Sequence, residues 1–207
     1  MKIYNKYILP KQLNKKMGSD EFNETRKEVA GKAVGIVLEI GTGSGYNFPF
    51  YKNIQKLYAL EPSKELYDYS RERAKKAEFP IEHLQVPAEK IPLADNTADT
   101  VVSTWTLCSV SNLPKALKEI YRILKPEGKF IFVEHGKSPK KLNYLAQRLA
   151  TPITKHFTGN CHMDREIDKY ILNADFEFEE IIKEPEEGRP LMFSYKGVAY
   201  KKDNNHT

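Results

Sequence analysis

Residues 35–45 read Gly-Ile-Val-Leu-Glu-Ile-Gly-Thr-Gly-Ser-Gly, and this stretch decides the fold of the 207-residue chain. Its first half is a nearly continuous apolar run, which is typical of a strand buried on both faces of a parallel sheet. Gly41, Gly43 and Gly45 follow at alternate positions, where the main chain can turn tightly and approach a ligand. We therefore expect a doubly wound sheet with a ligand at the carboxyl end of its first strand.

The rest of the chain alternates between strand and helix patterns. Strand patterns at 56–61, 81–86, 99–105 and 129–134 are separated by helical patterns at about 62–79 and 112–124. Two further strands, at 176–183 and 191–200, are joined by a short turn and should run antiparallel. The expected fold is α/β, a Rossmann-like doubly wound seven-stranded sheet, mostly parallel with one antiparallel strand in a C-terminal hairpin.

The length suits a single domain, which we place at 1–200. Within it we expect a helical lid segment at 1–33, a cofactor-binding core at 34–136, a helical insertion on the substrate side at 137–175 and the hairpin at 176–200. A disordered tail should follow at 201–207. Because proline disrupts an unbroken helix, we expect a break at Pro152, with Thr151 capping the second piece.

Composition excludes several functional classes. The balance of 33 basic and 28 acidic side chains gives a net charge of +5, too weak to predict nucleic-acid binding. Cys108 and Cys161 form no CxxC pair, and the adjacent Cys161 and His162 are poorly spaced for one ion, so we expect neither a disulfide framework nor a metal site. With no signal peptide or membrane-spanning run evident, we expect a cytoplasmic protein, as a monomer or weak dimer.

An acidic residue, Glu61, ends the second predicted strand. A carboxylate at this position can accept hydrogen bonds from both hydroxyls of a ribose. A GxGxxG dinucleotide fingerprint would require glycine at position 46, where this chain has Tyr46. A nicotinamide-dependent oxidoreductase is therefore the alternative from a different class, and the sequence disfavours it.

The motifs in order resemble those of small-molecule class I S-adenosylmethionine-dependent methyltransferases. The resemblance covers about 34–134 and rests on Glu39 with the glycine loop, on Glu61, on the Ala88-Glu89 motif that continues to Asp99, and on the motif at 117–128. The stretches at 45–51, 106–110, 134–135 and 159–166 look closer still to the thiol methyltransferases and the bacterial phospholipid N-methyltransferases. Those thiol methyltransferases usually carry an apolar N-terminal anchor, whereas residues 1–16 here are polar and basic.

The resemblance implies S-adenosyl-L-methionine as cofactor and S-adenosyl-L-homocysteine as product. Glu39 and the glycine loop would hold the methionine part, Glu61 the ribose, and Ala88 and Glu89 the adenine, with Thr104 near the sulfonium. Trp105 and Thr106 would line the substrate side. The full set of implied cofactor residues is Glu39, Gly41, Thr42, Gly43, Gly45, Asn47, Glu61, Pro62, Ser63, Ala88, Glu89 and Thr104.

The motifs say less about which molecule accepts the methyl group and about which residue removes its proton. We expect a small or amphiphilic acceptor, with a thiol first, a phospholipid amine second and a quinone-ring carbon third. His135, just after the fifth strand, is the candidate base that removes the acceptor's proton. Tyr4 and Tyr7 could belong to a lid over the substrate. The basic amphipathic segment 137–157 could contact a membrane surface or simply cover the site.

Overall fold

A computed structural model describes residues 4–202 and contains one seven-stranded sheet. The strand order is β3-β2-β1-β4-β5-β7-β6, and β7 runs antiparallel to both of its neighbours. The strands are β1 (Val34–Ile40), β2 (Asn53–Leu60), β3 (Ile81–Leu84), β4 (Ala98–Thr104), β5 (Leu124–His135), β6 (Phe176–Pro185) and β7 (Phe193–Lys201). The predicted fold class is confirmed.

Helices cover both faces of this sheet. They are α1 (Leu9–Met17), α2 (Asn23–Ala30), α3 (Lys64–Ala74), α4 (Leu113–Ile123), α5 (Lys141–Thr154) and α6 (Ile167–Leu172). The central strands β1, β4 and β5 are buried on both sides, as their near-continuous apolar runs predict. Because β1 and β4 are adjacent and have crossovers to opposite sides, a crevice opens beyond their carboxyl ends.

Several element ends differ from the sequence expectation. The first predicted helix begins at Lys64, where the Ser63 hydroxyl caps it by accepting from Leu66 N at 3.4 Å. The first two residues of the expected tail, 201 and 202, belong to the folded structure. Lys201 still pairs within β7, and Lys202 N donates to Asp175 O at 2.8 Å. Residues 1–3 of the predicted lid segment and 203–207 of the tail lie outside the described residues.

The prediction of a break at Pro152 was wrong. Helix α5 runs through this residue to Thr154, and Lys155 N donates to Thr151 O at 3.1 Å. Proline is tolerated here because it lies near the end of the helix, so few following turns depend on the geometry that it disturbs. Thr151 is buried inside the helix and does not act as a cap.

Across residues 4–202, none of the helices combines the length and the apolar character that a membrane crossing requires.

Candidate active site

The glycine loop after β1 has the backbone conformation that its sequence predicts. Gly41, Gly43 and Gly45 have φ angles of +66°, +57° and +79°, in the left-handed region that favours glycine. A Cβ atom on Gly41 would lie 2.3 Å from the Thr106 side chain, whereas one on Gly43 would meet nothing closer than 3.9 Å. Gly41 therefore allows β1 to pack against the loop after β4, and Gly43 leaves open space beside the main chain.

This loop forms one wall of a cavity of about 360 Å³ at the carboxyl edge of the sheet. The volume falls in the range of small-molecule sites. Leu13 and Met17 of α1 close one side, and the loops after β2, β3 and β4 supply most of the rest. Predicted site residues that line it are Gly41, Thr42, Gly43, Asn47, Glu61, Pro62, Ala88, Glu89, Thr104, Trp105 and Thr106.

Glu39 lies behind the cavity wall and organises it. Asn47 Nδ2 donates to Glu39 Oε1 at 2.6 Å and to Thr104 Oγ1 at 3.0 Å, which ties β1, the glycine loop and β4 together. Burial raises the pKa of Glu39 to about 7, although the hydrogen bond from Asn47 opposes the rise. Glu39 Oε2 and Asn47 Oδ1 have no hydrogen-bond partner within the described residues. Of the two residues, Asn47 lines the cavity, so its Oδ1 is available to a ligand.

Glu61 is held at the end of β2 by the backbone. Its Oε2 accepts from Gly43 N at 2.9 Å and its Oε1 accepts from Ser63 N at 2.8 Å. Burial raises the pKa of Glu61 to about 7 despite these two hydrogen bonds. The carboxylate is thus fixed in orientation, and each oxygen still has a lone pair for a hydroxyl donor.

Arg26 of α2 is a site residue that sequence reasoning missed. Its side chain lines the cavity although the residue is only 2% exposed. One guanidinium nitrogen, Nη2, donates to Met17 O at 2.7 Å, and Nη1 has no partner among the described residues. Burial lowers the pKa of Arg26 to about 10, so the group stays charged at neutral pH.

Aromatic rings surround this guanidinium. Its central carbon lies 5.4 Å from the ring centroids of Tyr46 and Trp105, within the range of cation–π attraction. Trp105 itself has φ of +51°, a strained conformation for a bulky residue, and such strain is concentrated at functional sites. The sequence could predict the tryptophan as pocket-lining, but neither its strain nor the buried charge beside it.

Other predicted residues lie away from the cavity lining. Gly45 and Ser63 shape the two loops from outside it. The ring of Tyr4 packs on Phe157 at 5.8 Å, and Tyr7 lines a different surface cavity beside α3. The lid segment does reach the site, but through Leu13, Met17 and Arg26 rather than through the two tyrosines.

The structure does not bring His135 to the cavity. Its Nδ1 faces Cys161 Sγ at 3.5 Å and Cys108 Sγ at 3.8 Å, and its Nε2 lies 3.1 Å from Glu186 Oε1. Burial lowers the pKa of His135, but Cys108 and Glu186 outweigh burial and raise it to about 9. An imidazole that is already protonated at neutral pH is poorly suited to accept a proton. The geometry therefore gives the predicted role of His135 as a base no support.

Comparisons with known proteins identify the family of the chain. The family described as "Methyltransferase domain" matches residues 38–132, which include the glycine loop, Glu61 and Trp105. Thiol S-methyltransferase TMT1B from Homo sapiens is 30% identical over 185 residues, covering 86% of this chain and 76% of that protein. The chain belongs to the class I S-adenosylmethionine-dependent methyltransferases.

Two further comparisons place the methyltransferase among its relatives. TMT1B from Rattus norvegicus is 36% identical over 144 residues, which are 68% of this chain, and the match spans only 59% of the rat protein. The crystal structure of the [4+2]-cyclase SpnF superimposes with a TM-score of 0.70 at 16% identity, covering 88% of this chain and 81% of that chain. At this identity the superposition shows the shared fold alone.

The site of the methyltransferase fits S-adenosylmethionine, the cofactor of its family. Buried hydrogen-bond donors and acceptors without a protein partner surround the cavity. A ligand with an amino acid part and a nucleoside part could form hydrogen bonds with them. Among the described residues they belong to Arg26, Thr42, Ser44, Asn47 and Trp105, which line the cavity, and to Glu39 behind its wall. Glu61 supplies the buried carboxylate that a ribose requires. The nicotinamide-dependent oxidoreductase alternative is thereby set aside.

Proposed function

We propose that this methyltransferase transfers its methyl group to the sulfur of a small or amphiphilic thiol. The observation that carries the proposal is the similarity to thiol S-methyltransferases TMT1A and TMT1B from Homo sapiens, which extends over 84% and 86% of this chain. This span includes segments beyond the cofactor core, where acceptor specificity is expected to reside.

The chemistry of the cavity favours a thiol over an amine. Among the described residues that line it there is no histidine or lysine, and the charged ones are Arg26, Glu61 and Glu89. A thiol has a pKa of about 8.5, so a useful fraction ionises in neutral water without a base. An alkyl amine, with a pKa of about 10, is mostly protonated and would need one.

The residues of the chain then act mainly by positioning. When bound, S-adenosylmethionine supplies an electrophilic methyl group on a sulfonium with an uncharged thioether as leaving group. Thr104 ends β4 and accepts a hydrogen bond from Asn47 in the loop after β1, and Trp105 and Val110 provide an apolar wall for the acceptor. These residues would align an acceptor thiolate with that methyl group, the uncharged thioether would leave, and the thiol proton would go to solvent. Alignment of this kind is worth about 7–11 kcal/mol in well-oriented cases.

Arg26 is the proposed partner of the carboxylate on the amino acid part of the cofactor. Its free Nη1 is a buried charged donor, and an unpaired buried charge is costly. A carboxylate would pair with it and strengthen cofactor binding. Glu39 and Asn47 would hold the neighbouring ammonium group through their unpartnered oxygens.

The proposed amphiphilic nature of the acceptor agrees with the surface of α5 and the turn after it. Five apolar side chains on this segment are each more than half exposed to solvent: Leu142, Leu145, Leu149, Ile153 and Phe157. Exposed basic residues, Lys140, Lys141 and Arg148, accompany them. Such a surface suits the boundary of an anionic lipid bilayer, and the chain continues from it to Thr158 and Gly159 at the cavity.

A side-by-side acceptor test decides between the candidate functions. Purified protein with S-adenosylmethionine is given a small alkyl thiol, phosphatidylethanolamine vesicles or a quinone precursor, and S-adenosylhomocysteine release is measured against a blank without acceptor. We expect release above the blank with the thiol. Release with only the vesicles or only the quinone precursor would overturn the thiol proposal.

Vesicle flotation tests the lipid contact separately. We expect the protein to float with anionic vesicles, and Leu145→Ser with Leu149→Ser to abolish flotation. The control is Leu172→Ser with Ile182→Ser, two exposed apolar side chains outside α5. Equal flotation of both double variants would show that α5 is not the contact.

A further inference from the structure

Two cysteines and one histidine form a compact cluster that the methyl-transfer reaction does not use. Cys108 lies after β4, His135 ends β5, and Cys161 lies in the loop between α5 and α6. Both cysteines are free thiols, and both are buried. The two Sγ atoms and the nearest ring nitrogen all lie within 4.8 Å of one another.

The distances in this cluster match those between the ligands of one metal ion. In a tetrahedral zinc site, Zn–S bonds of about 2.3 Å and Zn–N bonds of about 2.0 Å place sulfur and nitrogen about 3.5 Å apart. Here His135 Nδ1 lies 3.5 Å from Cys161 Sγ and 3.8 Å from Cys108 Sγ. One ring nitrogen facing two sulfurs suits a shared ion, and the same two contacts serve as weak hydrogen bonds when no ion is bound.

A carboxylate lies on the other side of the imidazole, where metal-bound histidines often have one. Glu186 Oε1 lies 3.1 Å from His135 Nε2. The carboxylate is itself held, because Ser194 Oγ donates to it at 2.5 Å and Arg189 Nη1 donates to it at 3.0 Å. The contact between Glu186 and His135 lacks the angle of a hydrogen bond, so Glu186 acts on the imidazole through its charge, while Nδ1 is directed at the two sulfurs.

We propose that Cys108, His135 and Cys161 form a binding site for a thiophilic d10 metal ion such as Zn²⁺. Two thiolates and an imidazole are ligands that such ions prefer, and two thiolates balance the charge of Zn²⁺. On binding, the ligands release the protons they carry to solvent, and no oxidation or reduction takes place. The ion joins three segments that are distant in sequence. Two of these segments also contribute to the cofactor cavity, through Ser109 and Gly159. It therefore fixes that wall of the active site.

Zinc binding to the full-length protein tests this site without reference to methyl transfer. Chelator-treated, reduced protein is titrated anaerobically with Zn²⁺ against a chromophoric competitor, and bound zinc is counted by elemental mass spectrometry. We expect one zinc per chain and a raised Tm, and with Co²⁺ a thiolate-to-cobalt charge-transfer band. Glu186→Gln should weaken binding about 10- to 100-fold, as loss of the carboxylate behind a histidine ligand does.

Variants assign the ligands. Cys108→Ser and Cys161→Ser should each lose the zinc, whereas His156→Gln, which removes an exposed histidine on a neighbouring segment, should keep it. Since a serine variant could fail to fold, the wild-type protein decides on its own. A stoichiometry well below one, or a cobalt complex without the thiolate band, would overturn the proposal. Conversion to a Cys108–Cys161 disulfide by oxidised glutathione, equally fast with and without Zn²⁺, would also overturn it.

Discussion

Glu61 places a buried carboxylate at the end of β2, with both oxygens already oriented by backbone N–H groups of Gly43 and Ser63. Hydrogen bonds to a charged group contribute about 1.5–3 kcal/mol. We therefore expect Glu61→Ala to weaken S-adenosylhomocysteine binding by about 10- to 100-fold in calorimetry. Glu72→Gln, on the exposed face of α3, is the matched control and should bind normally.

The raised pKa of Glu61 makes this binding depend on pH. Burial brings the pKa to about 7, and ribose hydroxyls donate best to the ionised form, so affinity rises with pH through this value. We expect wild-type affinity about tenfold weaker at about pH 6 than at about pH 8. In Glu61→Gln the dependence should shrink, and a variant that kept the full wild-type pH profile would refute the assignment.

Arg26 can be tested with two ligands that differ by one part. 5′-Methylthioadenosine contains the nucleoside of S-adenosylhomocysteine and lacks its amino acid carboxylate. If Nη1 of Arg26 pairs with that carboxylate, Arg26→Gln should weaken S-adenosylhomocysteine binding by about tenfold or more and leave methylthioadenosine binding nearly unchanged. Equal losses for both ligands would instead indicate general damage to the pocket.

At the residue scale, the sequence could predict the functional residues that lie at a characteristic distance from a strand. The three glycines and Glu61 follow strands at fixed distances, and the structure places Gly41, Gly43 and Glu61 at the cavity. Arg26 has no such signal, because its importance arises from burial against Tyr46 and Trp105. The Cys108, His135 and Cys161 cluster was equally hidden, since its successive members are 27 and 26 positions apart and meet only in the fold.

At the scale of elements, α5 shows how the end of a helix accommodates proline. Proline costs about 3 kcal/mol relative to alanine in a helix interior and less near an end. We expect Pro152→Ala to raise the free energy of unfolding by about 1–3 kcal/mol in urea denaturation. Pro114→Ala is the control, because Pro114 lies in the first turn of α4 and should give no gain. A loss of stability in Pro152→Ala would contradict this reading of α5.

The elements that were predicted best are those whose sequence pattern is compatible with only one local structure. The apolar run of β1 and the capped, proline-initiated start of α4 were placed within a residue or two. The stripe of α5 was also visible in the sequence, but its periodicity could not reveal that it faces solvent rather than the core. An amphipathic pattern shows which residues form the apolar face of a helix. What that face contacts is determined only by how the helix packs against other elements.

At the scale of the whole molecule, the order of strands and helices predicted the architecture. Alternating elements and a short terminal link permit few arrangements, because crossovers are right-handed and hairpins antiparallel. The relation of the N-terminal segment to the site could not be derived in the same way. From Tyr4 onward it pairs with no strand, and only the structure shows α1 and α2 forming a wall of the cofactor cavity through Leu13, Met17 and Arg26.

The most direct test of the proposed reaction is the identity of its methylated product. Protein, isotopically labelled S-adenosylmethionine and a small alkyl thiol are incubated together, and the methyl thioether and S-adenosylhomocysteine are quantified by mass spectrometry. We predict labelled methyl thioether in one-to-one ratio with S-adenosylhomocysteine, and loss of both in Glu61→Ala at limiting cofactor. S-Adenosylhomocysteine formed without the labelled thioether, or no turnover by a wild-type protein that binds the cofactor, would contradict a thiol methyltransferase.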